Sequence, residues 1–429
     1  KDARTRHMRR YRWGKADRLL ATEDSRRGTT RYGYTPNGQL EYAEYGDGTK
    51  QWRKSDSLGN LYPDPDCMVR RFLKGGAMEQ DGKWHCEYDK DGNLTERYIG
   101  TGRWLDGKKE HWKYRWNADG SLAKVVRPDG EEVTFEYDAL GRRLSKSYGT
   151  TVTRWMWNGN VPIHQWKQKR NYLREQDAWL TEEERKERTL WLFEEESFIP
   201  AAMIKEGKAY SILTDHLGTP TEAYDADGNE VWSRTLDMNG EVIEETGNVG
   251  MIPFLFQGQY YDRETGLAYN RFRYYSPQMG MYISQDPIGL AGGLTNLFAY
   301  VNDINIEIDI LGLNIINDLG QIGEKNAGIK KNTVRIRSAQ KIKKYRIPDA
   351  MSKNERHIKE VKNVNYQYFS TQLKDYIAHV NRGGKKGTVM LIVDNRTKLS
   401  KQLRAEIDAK RIILKKKNLN KTSYKNSKS

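Results

Sequence analysis

The sequence predicts an all-β body of wide antiparallel sheets followed by a small α/β domain. Three observations predict it. An aromatic–turn–leucine pattern recurs through most of the chain, excess positive charge is confined to the end, and the hydrophobic period changes after Leu313. Residues 314–429 hold 29 Lys and Arg against 9 Asp and Glu, a net +20. Residues 1–313 hold 44 against 49, a net −5. That asymmetry suits a polyanion partner for the C-terminal domain, or an acidic protein that holds it, though a basic soluble domain without such a partner has the same composition.

The repeats come first. Tyr34-Thr35-Pro36-Asn37-Gly38-Gln39-Leu40 matches Tyr88 to Leu94 and Trp116 to Leu122. Tyr137 to Gly141 and Tyr224 to Gly228 share the first part, with the aliphatic residue one place later. Each copy reads as strand, tight turn, strand, with Asn/Asp-Gly supplying the positive-φ turn. Trp112-Lys113-Tyr114-Arg115-Trp116 alternates aromatic and cation, as a strand with one packed face does. Lys167 to Arg188 breaks the pattern. Thr181 followed by three glutamates reads as a helix N-cap with first-turn acids, so this stretch is expected to be a surface helix or loop.

Composition bounds the rest. At 429 residues the chain should hold two or three domains. It begins at Lys1 inside a repeat and is expected to be part of a longer protein. No run approaches the roughly 18 apolar residues of a membrane span. Cys67 and Cys86 are too few for a disulfide framework and lack zinc-ligand spacing, and are expected as two free buried thiols, with one disulfide between them as the alternative. His85, His111 and the Asp215-His216 pair have no partner that would make them catalytic.

Asp286-Pro287-Ile288-Gly289-Leu290 and Asp309-Ile310-Leu311-Gly312-Leu313 bracket the boundary. Turns at Gly292-Gly293 and Gly312 could bring the two aspartates together, and apposed carboxylates can share a proton as acid and base. Aspartate before Pro or Gly is also ordinary turn chemistry. Tyr260 to Leu267, Arg271 to Pro277 and Tyr282 to Leu290 resemble the core-associated signature of Rhs proteins, and the upstream copies resemble their YD repeats. The resemblance implies an all-β YD-repeat shell, a large antiparallel cage, over residues 1–208, with a charged insertion at about 167–188. It implies a core-associated region over 209–313 and a toxin over 314–429. It further implies an aspartyl autoprotease, Asp286 with Asp309, that cuts between Leu313 and Asn314. The family's two motif prolines are Ile304 and Ile310 here.

After Leu313 the pattern predicts a helix over Leu319–Ala327 with Gly328 as its stop, and strands over Thr333–Arg337, Tyr345–Asp349 and His357–Val364. It then predicts a helix over Tyr368–Val380, a buried strand over Thr388–Val393, a helix over Leu399–Ala409 and a disordered lysine tail from Lys415. Glu360 and Lys362, two apart on a strand, project from one face. A hairpin would bring Asp349 to them. Two carboxylates can hold Mg²⁺, and a lysine can position the attacking water. Ile347-Pro348-Asp349 followed by Glu360-Val361-Lys362 resembles the PD-(D/E)xK motif of restriction-endonuclease-fold nucleases, and Gln372 to Tyr376 matches their Gln-x-x-x-Tyr element. The resemblance implies a small α/β domain in which Asp349, Glu360 and Glu324 bind Mg²⁺ or Mn²⁺. Lys362 would serve the nucleophile, and Gln372 and Tyr376 would line the site.

By the same resemblance the protein is a secreted antibacterial effector whose toxin cuts DNA in the target-cell cytoplasm. Its partners would be DNA, a cognate immunity protein and a secretion apparatus such as type VI, with no membrane-spanning segment. Two other readings stay open. One is a metal-independent ribonuclease with His357 and His379 as acid and base; the other is a basic module that only binds nucleic acid or an acidic partner.

Overall fold

The computed structural model describes residues 7–15, 18–100, 107–169, 188–194 and 197–313. Further on it describes 419 and 327–417, apart from 330, 331, 333, 340–344, 347, 363–365, 368, 385 and 396. The chain divides into two compact units, Lys1–Ile316 and Asn317–Ser429.

In the first unit, the residue after the aromatic turns the strand back in three of the five copies as an aspartate; the copy at Tyr34 uses Thr35 and the copy at Trp116 uses Asp119. Asp89 Oδ1 accepts hydrogen bonds from the backbone N–H groups of Asp91 (3.0 Å) and Asn93 (2.9 Å). Gly92, at φ +77°, donates its N–H to the Asp89 carbonyl. Asp138 and Asp225 repeat the arrangement, and so do Asp56 and Asp237, two copies that the sequence pattern passes over. A side chain thus satisfies backbone donors that the tight turn would otherwise leave without a partner. Beside each turn the pairing slips by one residue, setting Tyr34 opposite Leu40, Tyr88 opposite Leu94 and Trp116 opposite Leu122. Such bulges sharpen strand twist. All three leucines are buried.

Sixteen described strands, from Arg70–Phe72 to Val242–Gly247, form one sheet in which each pairs antiparallel with its sequence neighbours. The sheet runs without a break through residues 208 and 209. Residues 170–187 of the charged insertion lie outside the described residues; the flanking strands Val161–Lys169 and Thr189–Phe193 pair directly. A five-stranded sheet spans Arg9–Trp13 to Lys50–Trp52. A four-stranded sheet, Tyr260–Asp262 to Met281–Tyr282, is almost wholly buried, and Tyr260, Tyr269 and Tyr274 share one core with Trp155, Trp191 and Phe254. Ile310 is buried, and Ile304 packs on a second cluster around Tyr275, Tyr282 and Tyr300. Cys86 is buried and Cys67 half-buried; both are free thiols.

Here the expectation is corrected. Two repeats set a charged residue opposite the aromatic instead of a leucine: Tyr137 faces Arg143 and Tyr224 faces Glu230. In the copy at Tyr137 the residue opposite the aromatic is Arg143, 1% exposed, while Leu144 is 38% exposed. The aliphatic residue one place later does not fill the core slot, because strand alternation turns it outward. Arg143 fills it as a cation. Its guanidinium lies 4.4 Å from the Trp155 ring centroid and 4.7 Å from that of Tyr269, and pairs with Asp262, which also binds Lys146 Nζ at 2.8 Å. Arg143 and Lys146 hold the Asp262 carboxyl below its ordinary range against the opposing effect of burial. Asp262→Ala strands the buried Arg143 and leaves Lys146 with Glu264 alone, and should lower stability by about 3–5 kcal/mol in guanidinium denaturation.

The second unit has a four-stranded sheet: β1 (Ala350–Met351), β2 (His357–Lys362), β3 (Thr388–Asp394) and β4 (Ile412–Lys417). β1 is antiparallel to β2; β2, β3 and β4 are parallel. Helix α1 (Thr371–Val380) joins β2 to β3, and α2 (Lys401–Asp408) joins β3 to β4. Ser370 and Ser400 cap them by accepting from Leu373 N and Leu403 N, so each helix starts later than hydrophobic spacing alone suggests. Ile358, Leu373, Tyr376, Val389, Leu391, Val393 and Leu403 form the core. The expected disordered tail is corrected over its first residues: Lys415 to Lys417 continue β4 opposite Ile392 to Asp394, while 418 and 420–429 lie outside the described residues. Lys416 and Lys417 donate to the carbonyls of Thr397 and Ala327, and Leu419 is fully buried. Composition suggested disorder there, but backbone pairing decides the structure. Of the first helix only its end at Ala327, followed by Gly328 at φ +68°, lies within the described residues.

Candidate functional site

Asp349 does not end the strand at Tyr345. That strand, Tyr345–Arg346, pairs with Ile336–Arg337, and Asp349 stands immediately before β1. The short turn between β1 and β2 then sets it against the middle of β2. Asp349 Oδ2 accepts from Val361 N at 2.7 Å, and Asp349 N lies 3.4 Å from Glu360 Oε2. Glu360 and Lys362 share a strand face, and Lys362 Nζ lies 2.9 Å from Glu360 Oε1. Glu360 is 1% exposed, whereas Lys362 and Asp349 are half-buried, so the cluster reaches the surface through them.

Helix α1 covers the same face. Gln372 Nε2 donates to Tyr376 Oη at 2.8 Å. Burial, and then the Glu360 carboxylate beside it, pushes the Tyr376 phenol well above its ordinary value. Five of the six expected residues, Asp349, Glu360, Lys362, Gln372 and Tyr376, therefore come together; Glu324 lies outside the described residues. His357 is exposed on the other face of β2 and hydrogen-bonds Thr388 Oγ1. His379 pairs with Glu355 at 3.1 Å.

Sequence reasoning passed over one feature here. Asp375, fully buried between Gln372 and Tyr376 on α1, binds Arg346 Nε at 2.9 Å and Ser338 Oγ at 2.8 Å. It ties the segment that leads to Asp349 onto the helix that carries Gln372. Lys374-Asp375 inside the Gln-x-x-x-Tyr element was the available signal, since an acid among apolar helix positions needs a buried partner.

Among the described residues no group of three or more His, Cys, Asp or Glu side chains is placed to hold a metal. The donor set at hand is two carboxylates, all oxygen. That fits Mg²⁺, which takes one or two protein carboxylates and fills its octahedron with water and phosphate oxygens.

The junction forms a second site. Arg273, with its side chain fully buried, holds both expected aspartates on one nitrogen: Nη2 lies 3.5 Å from Asp286 Oδ2 and 3.2 Å from Asp309 Oδ2. Its Nε donates to the Gly312 carbonyl. Asp309 Oδ1 accepts from the N–H groups of Gly312 (2.9 Å) and Leu313 (3.0 Å), and Asp309 Oδ2 accepts from Tyr282 Oη (2.8 Å). Among the described residues Asp286 Oδ1 accepts only from Ile288 N, and Asp286 Oδ2 is buried without a hydrogen bond. Burial raises the Asp286 carboxyl above its ordinary value; Arg273 opposes this and Asp309 adds to it. Arg273 and Tyr282 lie within motifs quoted from the sequence, yet nothing in their spacing assigned them this contact. Asn314 lies outside the described residues.

The Teneurin YD-shell family matches residues 6–302. The chain belongs to that family. Residues 320–403 of this YD-shell protein match a second family, restriction endonuclease fold toxin 7. The chain thus joins a YD-repeat body of the Rhs kind to a restriction-endonuclease-fold toxin domain. Among curated proteins it is 30% identical to "Probable deoxyribonuclease RhsB" of Dickeya dadantii over 62% of this chain and 19% of the relative. It is 29% identical to "Double-stranded DNA deaminase toxin A" of Burkholderia cenocepacia over 68% of this chain and 21% of the relative. It is 26% identical to "Toxin protein Tse5" of Pseudomonas aeruginosa over 71% and 27%. The chain therefore spans about a fifth to a quarter of these relatives' lengths.

Gly312 permits the junction geometry. It sits at φ +70°, and a Cβ there would lie 2.5 Å from the Asn270 carbonyl oxygen. Gly312→Ala should loosen the Asp309 cap, and the amides of residues 312 and 313 should exchange about tenfold faster, given a strain of about 1–2 kcal/mol, as read by hydrogen–deuterium exchange.

Proposed function

We propose that residues 314–429 are a Mg²⁺- or Mn²⁺-dependent DNase toxin, released from the YD-repeat body by self-cleavage after Leu313. The single observation that carries the nuclease reading is the convergence of Asp349, Glu360 and Lys362 under the Gln372–Tyr376 pair. Asp349 and Glu360 would hold the ion, with Glu324 as a further ligand. When bound, the ion polarises the scissile phosphate and acidifies a water. Lys362, beside Glu360 and half-exposed, would orient the attacking water and offset charge building on the phosphate. Gln372 and Tyr376 would fix the position of Glu360. The net charge of +20 favours a polyanion. The printed names of two relatives, a probable deoxyribonuclease and a DNA deaminase toxin, favour DNA.

The ribonuclease reading needs His357 and His379 at one phosphate. His357 faces away from Glu360, and His379 is engaged by Glu355, so the arrangement favours the carboxylate reading.

For self-cleavage the environments of the two aspartates support one division of roles. Asp309, with Tyr282, Arg273 and two backbone N–H donors around it, is the carboxylate that takes a proton from water. Asp286, with fewer donors, is the protonated acid. The water oxygen bonds to the Leu313 carbonyl carbon, Asp286 gives its proton to the leaving nitrogen of Asn314, and the C–N bond breaks. The freed toxin would act in the target-cell cytoplasm after secretion, by a machine such as type VI. A neighbouring acidic immunity protein would protect the producer.

Two experiments decide. Asp286→Asn and Asp309→Asn should each leave the chain intact where the wild type splits, as read by fragment N-termini. The wild-type rate should fall as pH rises through the raised Asp286 value, because the acid form is then lost; a rate that climbs with pH reverses the assignment. Separately, plasmid cleavage by residues 314–429 should stop with EDTA. It should drop at least about a hundredfold in Asp349→Ala, Glu360→Ala and Lys362→Ala, with DNA retention little changed in Lys362→Ala. Cleavage that survives these changes removes the site, and degradation of RNA alone removes the substrate.

A further inference from the structure

A buried guanidinium normally meets an anion, because an uncompensated buried charge is costly. Arg143, Arg273 and Arg70 each meet a carboxylate, and Arg53, Arg234 and Arg271 give Nη2 to a backbone carbonyl. Arg97 does neither among the described residues. It is 6% exposed, stacks 4.1 Å over the Trp84 ring, and donates Nη1 to Gln278 Oε1 at 2.8 Å. Its Nε and Nη2 are both buried with no hydrogen-bond partner among the described residues. Those two groups form one edge of the guanidinium, the parallel fork that grips a carboxylate or phosphate through two hydrogen bonds.

Arg97 lines a cavity of about 160 Å³ between the large sheet and the four-stranded sheet. Arg263 adds a second cation to the lining, Ser276 and Gln278 add polar groups, and Trp112 and Tyr114 supply the aromatic wall. No carboxylate is among the described lining residues. We infer that this cavity is a binding site for a small oxyanion, a phosphate or a carboxylate, received by the Nε–Nη2 edge of Arg97. The site belongs to the YD-repeat body and is independent of the nuclease and junction readings.

All twelve tryptophans lie between Trp13 and Trp232, so tryptophan emission reads the YD-repeat body and not the basic toxin domain. The full chain is titrated with inorganic phosphate and, separately, with acetate, at ionic strength held constant by chloride. Trp84 beneath Arg97 and Trp112 in the wall should give a saturable change with at least one of the two anions; phosphate alone would mark a phosphoryl ligand, acetate alone a carboxylate. Arg97→Gln should need about tenfold more anion or lose the response. Arg97→Lys, which keeps the charge without the fork, should be weakened about threefold or more. Circular dichroism and guanidinium melts confirm that each variant is folded, and if the glutamine variant is not, the lysine variant decides. No saturable change with either anion in the wild type overturns the inference, as does unaltered half-saturation in a folded variant.

Discussion

Charge that cannot be left alone in a low-dielectric interior organises the YD-repeat body. The large sheet sends Arg143 into the core, where only Asp262 of the four-stranded sheet and the surrounding aromatic rings can receive it. That inner sheet sends out its own cation, Arg273, which gathers Asp286, Asp309 and the Gly312 carbonyl. One short stretch, Asp262 to Arg273, therefore answers to the repeats on one side and to the junction on the other. Breaking either ion set leaves a buried group uncompensated, which hydrophobic contacts nearby cannot repair.

The toxin domain solves a different problem, that of bringing acids from separate segments to one point. A strand's two-residue period stacks Glu360 and Lys362, and a tight β-turn folds Asp349 back onto the same strand. The Asp349–Val361 backbone contact fixes that approach independently of any ligand. The Arg346–Asp375 pair then couples the segment leading to Asp349 with the helix that lays Gln372 and Tyr376 over Glu360. The cluster is consequently braced from behind by groups that take no part in chemistry.

Local periodicity made much of this legible. Alternation along strands, Asn/Asp-Gly turns and a helix stripe located most elements, and the Asp–Glu–Lys spacing located the candidate nuclease cluster. What escaped was decided by groups far apart in sequence. Arg143 takes a leucine's slot only because Asp262 waits more than a hundred residues on. Arg273 reaches two aspartates through tertiary folding that no spacing rule encodes. Lys415 to Lys417 look like a solvated tail until their backbone is seen to pair with β3, where polar side chains cost little at a sheet edge.

The order of pairing in the two units has a consequence for how each is made. Every strand in the sixteen-stranded sheet bonds to the strand just before or after it, so each hairpin can close as soon as it is synthesised, with small loop entropy. The parallel core of the toxin domain offers no such stepwise route. β2 must wait for β3, and β3 for β4, each across a helix, and Leu419 packs only at the end. Emerging from a ribosome, the body would be assembled while the toxin was still an open chain. The fold of the toxin domain would thus close only after the sheet of the body had formed.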